Sequence, residues 1–196
     1  MNDNIKARRR ILHRQAGFSL LEMLVTLGIA GVLGSMAVFS FRQAEPYFKG
    51  DGGMRVLQSQ FITARELAIA QRRNMRLTFT NTNQVNIVRE EVFPPNTTTV
   101  VGDVLFEGGM TFGLVAGVPD TPEAFGNPTP VAFGAAAIVM FTPEGMLVDQ
   151  ATGNPINGSV FIAFPGMARS ERAVTVLGAT GRIRAYRWDG RQWVLV

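Results

Sequence analysis

The 196-residue chain contains no cysteine and a single histidine, His13. The absence of cysteine excludes a thiol nucleophile, a disulfide framework and a thiolate metal site. His13 lies among arginines in a basic N-terminal tail, so the body of the chain cannot supply a histidine-based triad or zinc site. Only carboxylate or backbone chemistry is left, and we expect no enzyme, no metal and no cofactor.

Positive charge is absent from a long internal segment. Residues 90–168 contain eight acidic residues and no Lys or Arg, whereas residues 169–191 contain six arginines and two acids. The first 17 residues hold five basic residues against one acid, which equals the whole net charge of +4. An electrostatic partner would therefore meet the C-terminal region as a separate basic patch.

An apolar run follows the basic tail, and Glu22 is the only charged residue between 18 and 41. In a helix this run is about 36 Å long, enough to cross a hydrocarbon core of about 30 Å. A cleaved signal peptide would need a small-residue site such as Ser35-Met36-Ala37, but the run before it is long and charged. A plain signal anchor explains the length and the basic cytoplasmic flank. Neither interpretation explains the glutamate.

The segment GFSLLEMLVTLGIAG resembles the class III leader of type IV pilins and type II secretion pseudopilins. The resemblance implies cleavage by a prepilin peptidase between Gly17 and Phe18 and N-methylation of Phe18. Glu22 is then the fifth mature residue. Its carboxylate would pair with the α-ammonium of a neighbouring subunit and set the register of the filament, since pairing removes the penalty of two isolated charges.

The chain is expected to have an α+β fold, with a long N-terminal transmembrane helix and a mostly antiparallel β domain that packs one helix. We assign 1–17 to the leader, 18–42 to the transmembrane helix, 43–53 to a helix continuation and linker, and 54–196 to a periplasmic β-rich domain. Pro46 and the glycines at 50–53 predict a kink or break. Apolar residues at steps of three and four then predict an amphipathic helix: Met54, Leu57, Phe61, Ala64 and Ala68.

Short β-branched and aromatic runs predict strands in the rest of the chain, at 75–80, 84–92, 99–106, 110–115, 137–141, 159–164 and 173–177. The terminal RIRAYRWDGRQWVLV predicts a hairpin with a two-residue type I′ turn at Asp189-Gly190. The Pro- and Gly-rich segment 116–130 predicts an exposed loop. No glycine pattern of a nucleotide-binding site follows a strand and opens a helix.

Three further segments are similar to GspH/FimT-type minor pseudopilins: ITARELAIAQRRNMRLTF, FTPEGML and TGRIRAYRW, the last with a Gly-Arg-x-Arg pattern. The resemblance implies a non-enzymatic subunit that helps initiate or cap a type II secretion pseudopilus. Its partners would be other minor and major pseudopilins, the prepilin peptidase and the inner-membrane assembly platform. It would sit in the inner membrane, with the N-terminus cytoplasmic and the C-terminal domain periplasmic, and could enter a filament. The alternative is a FimT-like minor pilin of a type IV pilus that binds DNA for uptake.

The candidate DNA or partner site consists of Arg182, Arg184, Arg187 and Arg191. Strand alternation places Arg182 and Arg184 on one face with Tyr186 and Trp188, and the turn would bring Arg191 and Trp193 to that face from the facing strand. Arginines beside aromatic rings suit phosphates and stacked bases. The alternative is a protein contact or plain solvation, with the aromatic rings packed on the domain and the arginine heads in water.

Overall fold

A computed structural model describes residues 18–93, 95 and 97–196. Its one long helix, α1, spans Leu20–Gln71. The chain divides into two compact units between Arg42 and Gln43, so α1 contributes to both. The α+β fold class is confirmed, because this long apolar helix is followed by antiparallel sheets.

The first unit is the apolar part of α1. Its helical hydrogen bonds begin where the Met23 amide donates to the Ser19 carbonyl at 3.0 Å. The apolar side chains in this part of α1 are exposed, among them Leu27, Leu33 and Phe41 at 62–68%. By length and composition, α1 is the one helix of the described residues that is able to cross a membrane.

The predicted break at 46–53 is wrong, because α1 continues through Pro46 and the glycines, whereas the kink at Pro46 stays a prediction. Two of the three glycines face neighbouring structure, whereas Gly52 faces open space. A Cβ on Gly50 would come within 2.9 Å of the Ser170 carbonyl oxygen, and one on Gly53 within 3.2 Å of Ile162 Cδ1. The packing of this turn outweighs the helix penalties, about 3 kcal/mol for proline and about 1 kcal/mol for each glycine.

The second unit begins with the amphipathic part of α1, which confirms the predicted apolar face. Each of its members is at most 1% exposed: Met54, Leu57, Phe61, Ala64 and Ala68. They form the main core together with the inner faces of two sheets. A fully buried phenylalanine, Phe61, contacts the rings of Phe79, Phe133 and Phe141 with centroid distances of 6.2–6.4 Å.

Eleven strands are present in the described residues. They are β1 (Met75–Thr80), β2 (Gln84–Glu90), β3 (Thr98–Leu105), β4 (Thr111–Phe112), β5 (Val131–Ala132), β6 (Val139–Phe141), β7 (Leu147–Asp149), β8 (Gly158–Ala163), β9 (Arg172–Leu177), β10 (Arg182–Trp188) and β11 (Trp193–Leu195). A short 3₁₀ helix, Ala168–Ser170, precedes β9. The sequence prediction misses β5 and β7, which are only two and three residues long.

The strands form two antiparallel sheets. The first has the order β3-β2-β1-β6-β7, and the second has the order β11-β10-β9-β8-β4, with β5 also paired to β8. The inner face of the second sheet supplies Val160, Val174 and Ala185 to the main core. On its outer face, Phe161, Ala173 and Tyr186 form a smaller apolar cluster with Leu114 and Trp193. This outer face is where the predicted arginine site lies.

The terminal hairpin is confirmed, but its turn differs from the prediction. Trp188 pairs with Trp193, and the Asp189 amide donates to the Gln192 carbonyl at 3.1 Å. The turn is therefore centred on Gly190 and Arg191, one residue later than expected. The Asp189 carboxylate fixes it by accepting the amides of residues 191 and 192 at 2.7 and 2.8 Å. Gly190, at φ +103°, supplies the backbone conformation that other residues disfavour.

Candidate functional sites

The predicted processing site lies at the start of α1. Gly17 is outside the described residues, whereas Phe18 lies two residues before the start of the helix and is 75% exposed. Glu22 lies in the first helical turn with an exposed side chain. A carboxylate at this end of a helix also meets the positive pole of the helix dipole. Cleavage at Gly17, methylation of Phe18 and registration by Glu22 stay predictions.

The predicted arginines do not act as one surface. Arg182 and Arg184 point to the outer face of the second sheet, where both bind a single carboxylate, Glu123. The distances to Glu123 Oε1 are 3.2 Å from Arg182 Nη2 and 2.8 Å from Arg184 Nη1, and the Tyr186 hydroxyl donates to the same oxygen at 3.2 Å. The Glu123 side chain is only 6% exposed, although the arginine side chains are 46% and 41% exposed.

Glu123 belongs to the 116–130 segment, which the sequence predicts to be an exposed loop. That prediction is wrong for its central part, because the segment packs on the outer face of the second sheet. Asp120 organises the loop by accepting the amides of Thr121 and Gly126, each at 2.7 Å. Trp193 Nε1 ties the loop to the hairpin by donating to the Pro119 carbonyl at 2.8 Å. These bonds place the Glu123 carboxylate over Arg184 and Tyr186.

The other two predicted arginines point elsewhere. Arg187 lies on the opposite face of β10, where its guanidinium carbon is 5.5 Å from the Tyr47 ring centroid and its Nη1 is 3.9 Å from Asp51 Oδ2. Arg191 lies in the turn and does not join the face that carries Arg182 and Arg184, because the turn falls one residue later than predicted. The four arginines thus occupy three separate environments.

Gly181 of the Gly-Arg-x-Arg pattern has a packing role of its own. Its φ is +61°, and a Cβ there would lie 2.0 Å from the Gly145 carbonyl oxygen and 2.7 Å from Arg65 Nε. Arg65, on α1, reaches this point by donating from Nε to the same Gly145 carbonyl at 3.1 Å. The Gly-Arg junction is therefore fixed by the contact between the helix and two turns.

Sequence reasoning missed a buried ion pair between α1 and β9. Arg172 is fully buried, and its Nε donates to Asp51 Oδ1 at 2.7 Å. Its remaining donors reach the carbonyls of Tyr47, Arg169 and Glu171 at 2.9–3.1 Å. Burial lowers the pKa of Arg172, and the bond to Asp51 opposes that shift. The one available signal was an arginine at the start of an otherwise apolar strand.

Glu171 is the second buried charge that the sequence did not reveal. Its side chain is fully buried, its Oε2 accepts the Val115 amide at 3.1 Å, and its Oε1 has no partner within the described part of the chain. Burial raises the pKa of Glu171 to about 7. Among the described residues, no group of three or more His, Asp or Glu side chains is able to hold a metal ion.

Comparison with known protein families identifies the N-terminal region. Residues 12–38 match the prokaryotic N-terminal methylation motif, which is the class III prepilin leader. Comparison of the whole chain with curated proteins and with solved structures gives no match. The motif implies processing by a prepilin peptidase and assembly with other pilins, and it points to a structural subunit rather than an enzyme. Together with the apolar helix, it supports a membrane-anchored type IV pilin-like protein of a pilus or secretion system.

Proposed function

We propose that this chain is a minor pseudopilin that helps to initiate or cap the pseudopilus of a type II secretion system during protein export. The leader motif over residues 12–38 supports a pilin-like subunit, and the helix that follows it leads into a β-rich domain. The resemblance of three domain segments to GspH/FimT-type proteins supports the minor class. In this proposal the protein acts by assembling with other subunits.

The observation that carries the proposal is the position of Glu22 within the motif. A charge inside an apolar span costs about 2.5–3.5 kcal/mol on insertion scales, so it requires a partner. No cation in the described residues pairs with Glu22. Cleavage before Phe18 would create an α-ammonium at the same end of a neighbouring helix. Pairing of the two charges would set the axial register of the subunits.

Processing is tested by the intact mass and N-terminal sequence of protein extracted from the membrane of a host with a prepilin peptidase. We expect the mature chain to begin at Phe18 and to carry one N-methyl group. The same host without the peptidase is the control and should retain the leader. A mature chain that begins at Val38 would show ordinary signal-peptidase cleavage and would refute the proposal.

Assembly is tested by replacing Glu22 with alanine. The variant should insert and fold normally but should no longer co-purify with other minor subunits, because the neighbouring ammonium loses its partner. Thr26→Ala, one helical turn further on, is the matched control because Thr26 is also exposed and bonds only locally to Met23. Undiminished association of the Glu22 variant would exclude a registration role. Mass spectrometry of the co-purified subunits would separate a secretion pseudopilus from a type IV pilus.

DNA binding is the second candidate function, and the exposure of Arg182 and Arg184 favours it. Glu123 opposes it, because a phosphate must compete with a carboxylate already in place. Duplex binding by the full chain should then increase in Glu123→Gln and decrease in the double variant Arg182→Ala/Arg184→Ala. The salt slope should be about 0.9 per phosphate contacted. Absence of binding at low salt in wild type and Glu123→Gln alike would exclude this function.

A further inference from the structure

One end of the β-rich domain brings together four structural segments around Tyr47. Arg172 donates to the Tyr47 carbonyl at 3.1 Å and to the Arg169 carbonyl at 2.9 Å, which joins α1 to the 3₁₀ helix. A Cβ at Gly190 would lie 3.6 Å from Arg169 Nε, so the β10–β11 turn contacts the same 3₁₀ helix. The fourth segment is the 107–109 loop, where a Cβ on Gly108 would lie 2.7 Å from Lys49 Cδ.

These segments carry both apolar and basic side chains that are exposed. Phe48 is 65% exposed and Met167 is 44% exposed, although both are large apolar residues. Arg169 and Arg191 are exposed as well, and neither has an ion pair within the described part of the chain. We call the set of Phe48, Met167, Arg169 and Arg191 the basal rim.

The charges at this end nearly cancel, but they are not equally accessible. Arg172 and Arg187 lie at Asp51, Lys49 pairs with Glu45 at 2.6 Å, and the acid between the 3₁₀ helix and β9, Glu171, is buried. The exposed acids are Asp189 of the hairpin and Glu107 of the 107–109 loop. The pKa of Asp189 is lowered by the backbone amides of residues 192 and 191 and, to a smaller extent, by the charge of Arg191. No salt bridge joins Arg169 or Arg191 to an acid of the described residues, so both guanidinium groups are accessible to a ligand.

The chain itself keeps the basal rim near a membrane. Arg42 ends the uncharged part of the apolar run, and Tyr47 follows five residues later. Even a fully extended chain covers at most about 3.6 Å per residue, so Tyr47 lies within about 18 Å of Arg42 in any arrangement. The headgroup layer is about 5–8 Å thick on each side, and screening acts over about 8–10 Å. This end of the domain is therefore tethered within reach of the lipid headgroups.

We infer that the basal rim is a membrane-contact surface, in which Arg169 and Arg191 bind anionic phospholipid headgroups while Phe48 and Met167 enter the headgroup layer. Basic side chains beside exposed aromatic and apolar ones are the composition that a membrane interface selects. The inference goes beyond the proposed function, since it concerns the subunit before assembly. It requires only that the apolar helix is anchored in a membrane.

The absence of cysteine allows a direct test with single introduced thiols. The full chain would carry Met167→Cys, labelled with an environment-sensitive fluorophore, in vesicles of phosphatidylcholine with one quarter phosphatidylglycerol and a headgroup spin label. Ala151→Cys is the control, because residue 151 lies near the other end of the domain helix. Its neighbour Gln150 binds Glu90, and Glu90 binds Asn74, three residues after the end of α1. That end is about 36 Å along the helix from Tyr47.

We expect the label at position 167 to be quenched at least threefold more than the label at 151. The difference should at least halve in vesicles of phosphatidylcholine alone, in high salt, and in the double variant Arg169→Glu/Arg191→Glu. The milder pair Arg169→Gln/Arg191→Gln should give a smaller loss, which separates charge from misfolding. Equal quenching at both positions, or quenching indifferent to lipid charge and to both pairs of substitutions, would overturn the inference.

Two further outcomes are distinguishable. Quenching at 167 that falls as the number of chains per vesicle rises would show that a second subunit covers the rim instead of lipid, and this would also overturn the inference. A label at Val32→Cys reports anchoring, since it lies within the apolar run. If acyl-chain spin labels fail to quench that label, the apolar helix is not anchored in the membrane. The inference about the basal rim is then wrong as well.

Discussion

Replacing Asp51 with alanine should destabilise the folded domain by about 2–3 kcal/mol. Asp51 is the only carboxylate of the described residues that pairs with the fully buried Arg172, at 2.7 Å. Without it the guanidinium would keep its three backbone carbonyl acceptors but would have no counter-charge. Asp51 also lies 3.9 Å from Arg187, so two positive groups would remain close together.

The magnitude follows from burial. Removing one partner of a fully buried pair costs about 3–5 kcal/mol, because it leaves an uncompensated buried charge. Asp51 is 27% exposed, so water would reach part of the vacated space, and the three carbonyls solvate the guanidinium in part. Both effects reduce the expected loss of stability to the lower end of that range, about 3 kcal/mol, or just below it. A surface ion pair would contribute at most about 1 kcal/mol.

Urea unfolding of the full chain in detergent micelles would measure this loss. The only two tryptophans, Trp188 and Trp193, lie in the terminal hairpin and report the unfolding of the domain. Glu107→Ala is the control, and this exposed substitution should change stability by less than about 0.5 kcal/mol.

A double-mutant cycle tests the physical reason. Arg172→Met removes the buried charge, so adding Asp51→Ala to it should cost almost nothing more. A coupling near 2 kcal/mol is therefore expected between the two positions. If Asp51→Ala costs as much in the Arg172→Met background as in the wild type, Asp51 does not act by balancing a buried charge, and the reasoning is wrong.

Three further predictions concern single positions. The pKa of Glu171 is raised to about 7, so its contribution to stability is complete below about pH 4.5 and is lost as the pH rises through 7. Glu171→Gln should therefore flatten the profile of unfolding free energy between pH 5 and 8, and it should add up to about 3 kcal/mol of stability at pH 8. A profile equal to that of the wild type would contradict this prediction. Glu123→Ala should cost about 1–2 kcal/mol and expose the 116–130 loop to chymotrypsin at Phe125, whereas unchanged cleavage would show that Glu123 does not hold the loop. Gly181→Ala should lower the free energy of unfolding in urea by more than about 2 kcal/mol, because a Cβ there would meet the Gly145 carbonyl. The control Gly153→Ala is also at positive φ but in open space, and it should cost about 1 kcal/mol. Equal costs would show that close packing at Gly181 does not matter.

The elements with a strong repeating pattern were predictable from the sequence. The apolar face of α1 repeats at steps of three and four from Met54 to Ala68, and the structure buries all of it. The strands that run for six or more residues, such as β1 and β8, also fall where alternation and β-branched residues predict them. The prediction succeeds here because the local repeat alone determines which side chains share the buried face of a helix or strand.

The helix through 46–53 shows where local preference misleads. Proline and three glycines within eight residues favour a break by any propensity scale. At Gly50, however, a Cβ would come within 2.9 Å of the Ser170 backbone carbonyl in the 3₁₀ helix, and at Gly53 a Cβ would press on the Ile162 side chain at 3.2 Å. A residue that weakens a helix in isolation is thus required by tertiary packing. Sequence alone does not distinguish the two cases, since the contacting atoms lie more than 100 positions away along the chain.

A binding role of the arginines stays a prediction, but the carboxylate that two of them bind was not predictable, for a related reason. Alternation along β10 correctly placed Arg182, Arg184 and Tyr186 on one face, but it carries no information about what covers that face. The covering group is Glu123, which lies about 60 residues earlier in a segment without regular structure. Residues 90–168 carry eight acids and no cation of their own, and Glu123 is the one of these acids that pairs with the C-terminal arginines among the described residues. The acidic loop thus meets the arginine strand within the fold, and the first electrostatic partner of Arg182 and Arg184 is the chain itself.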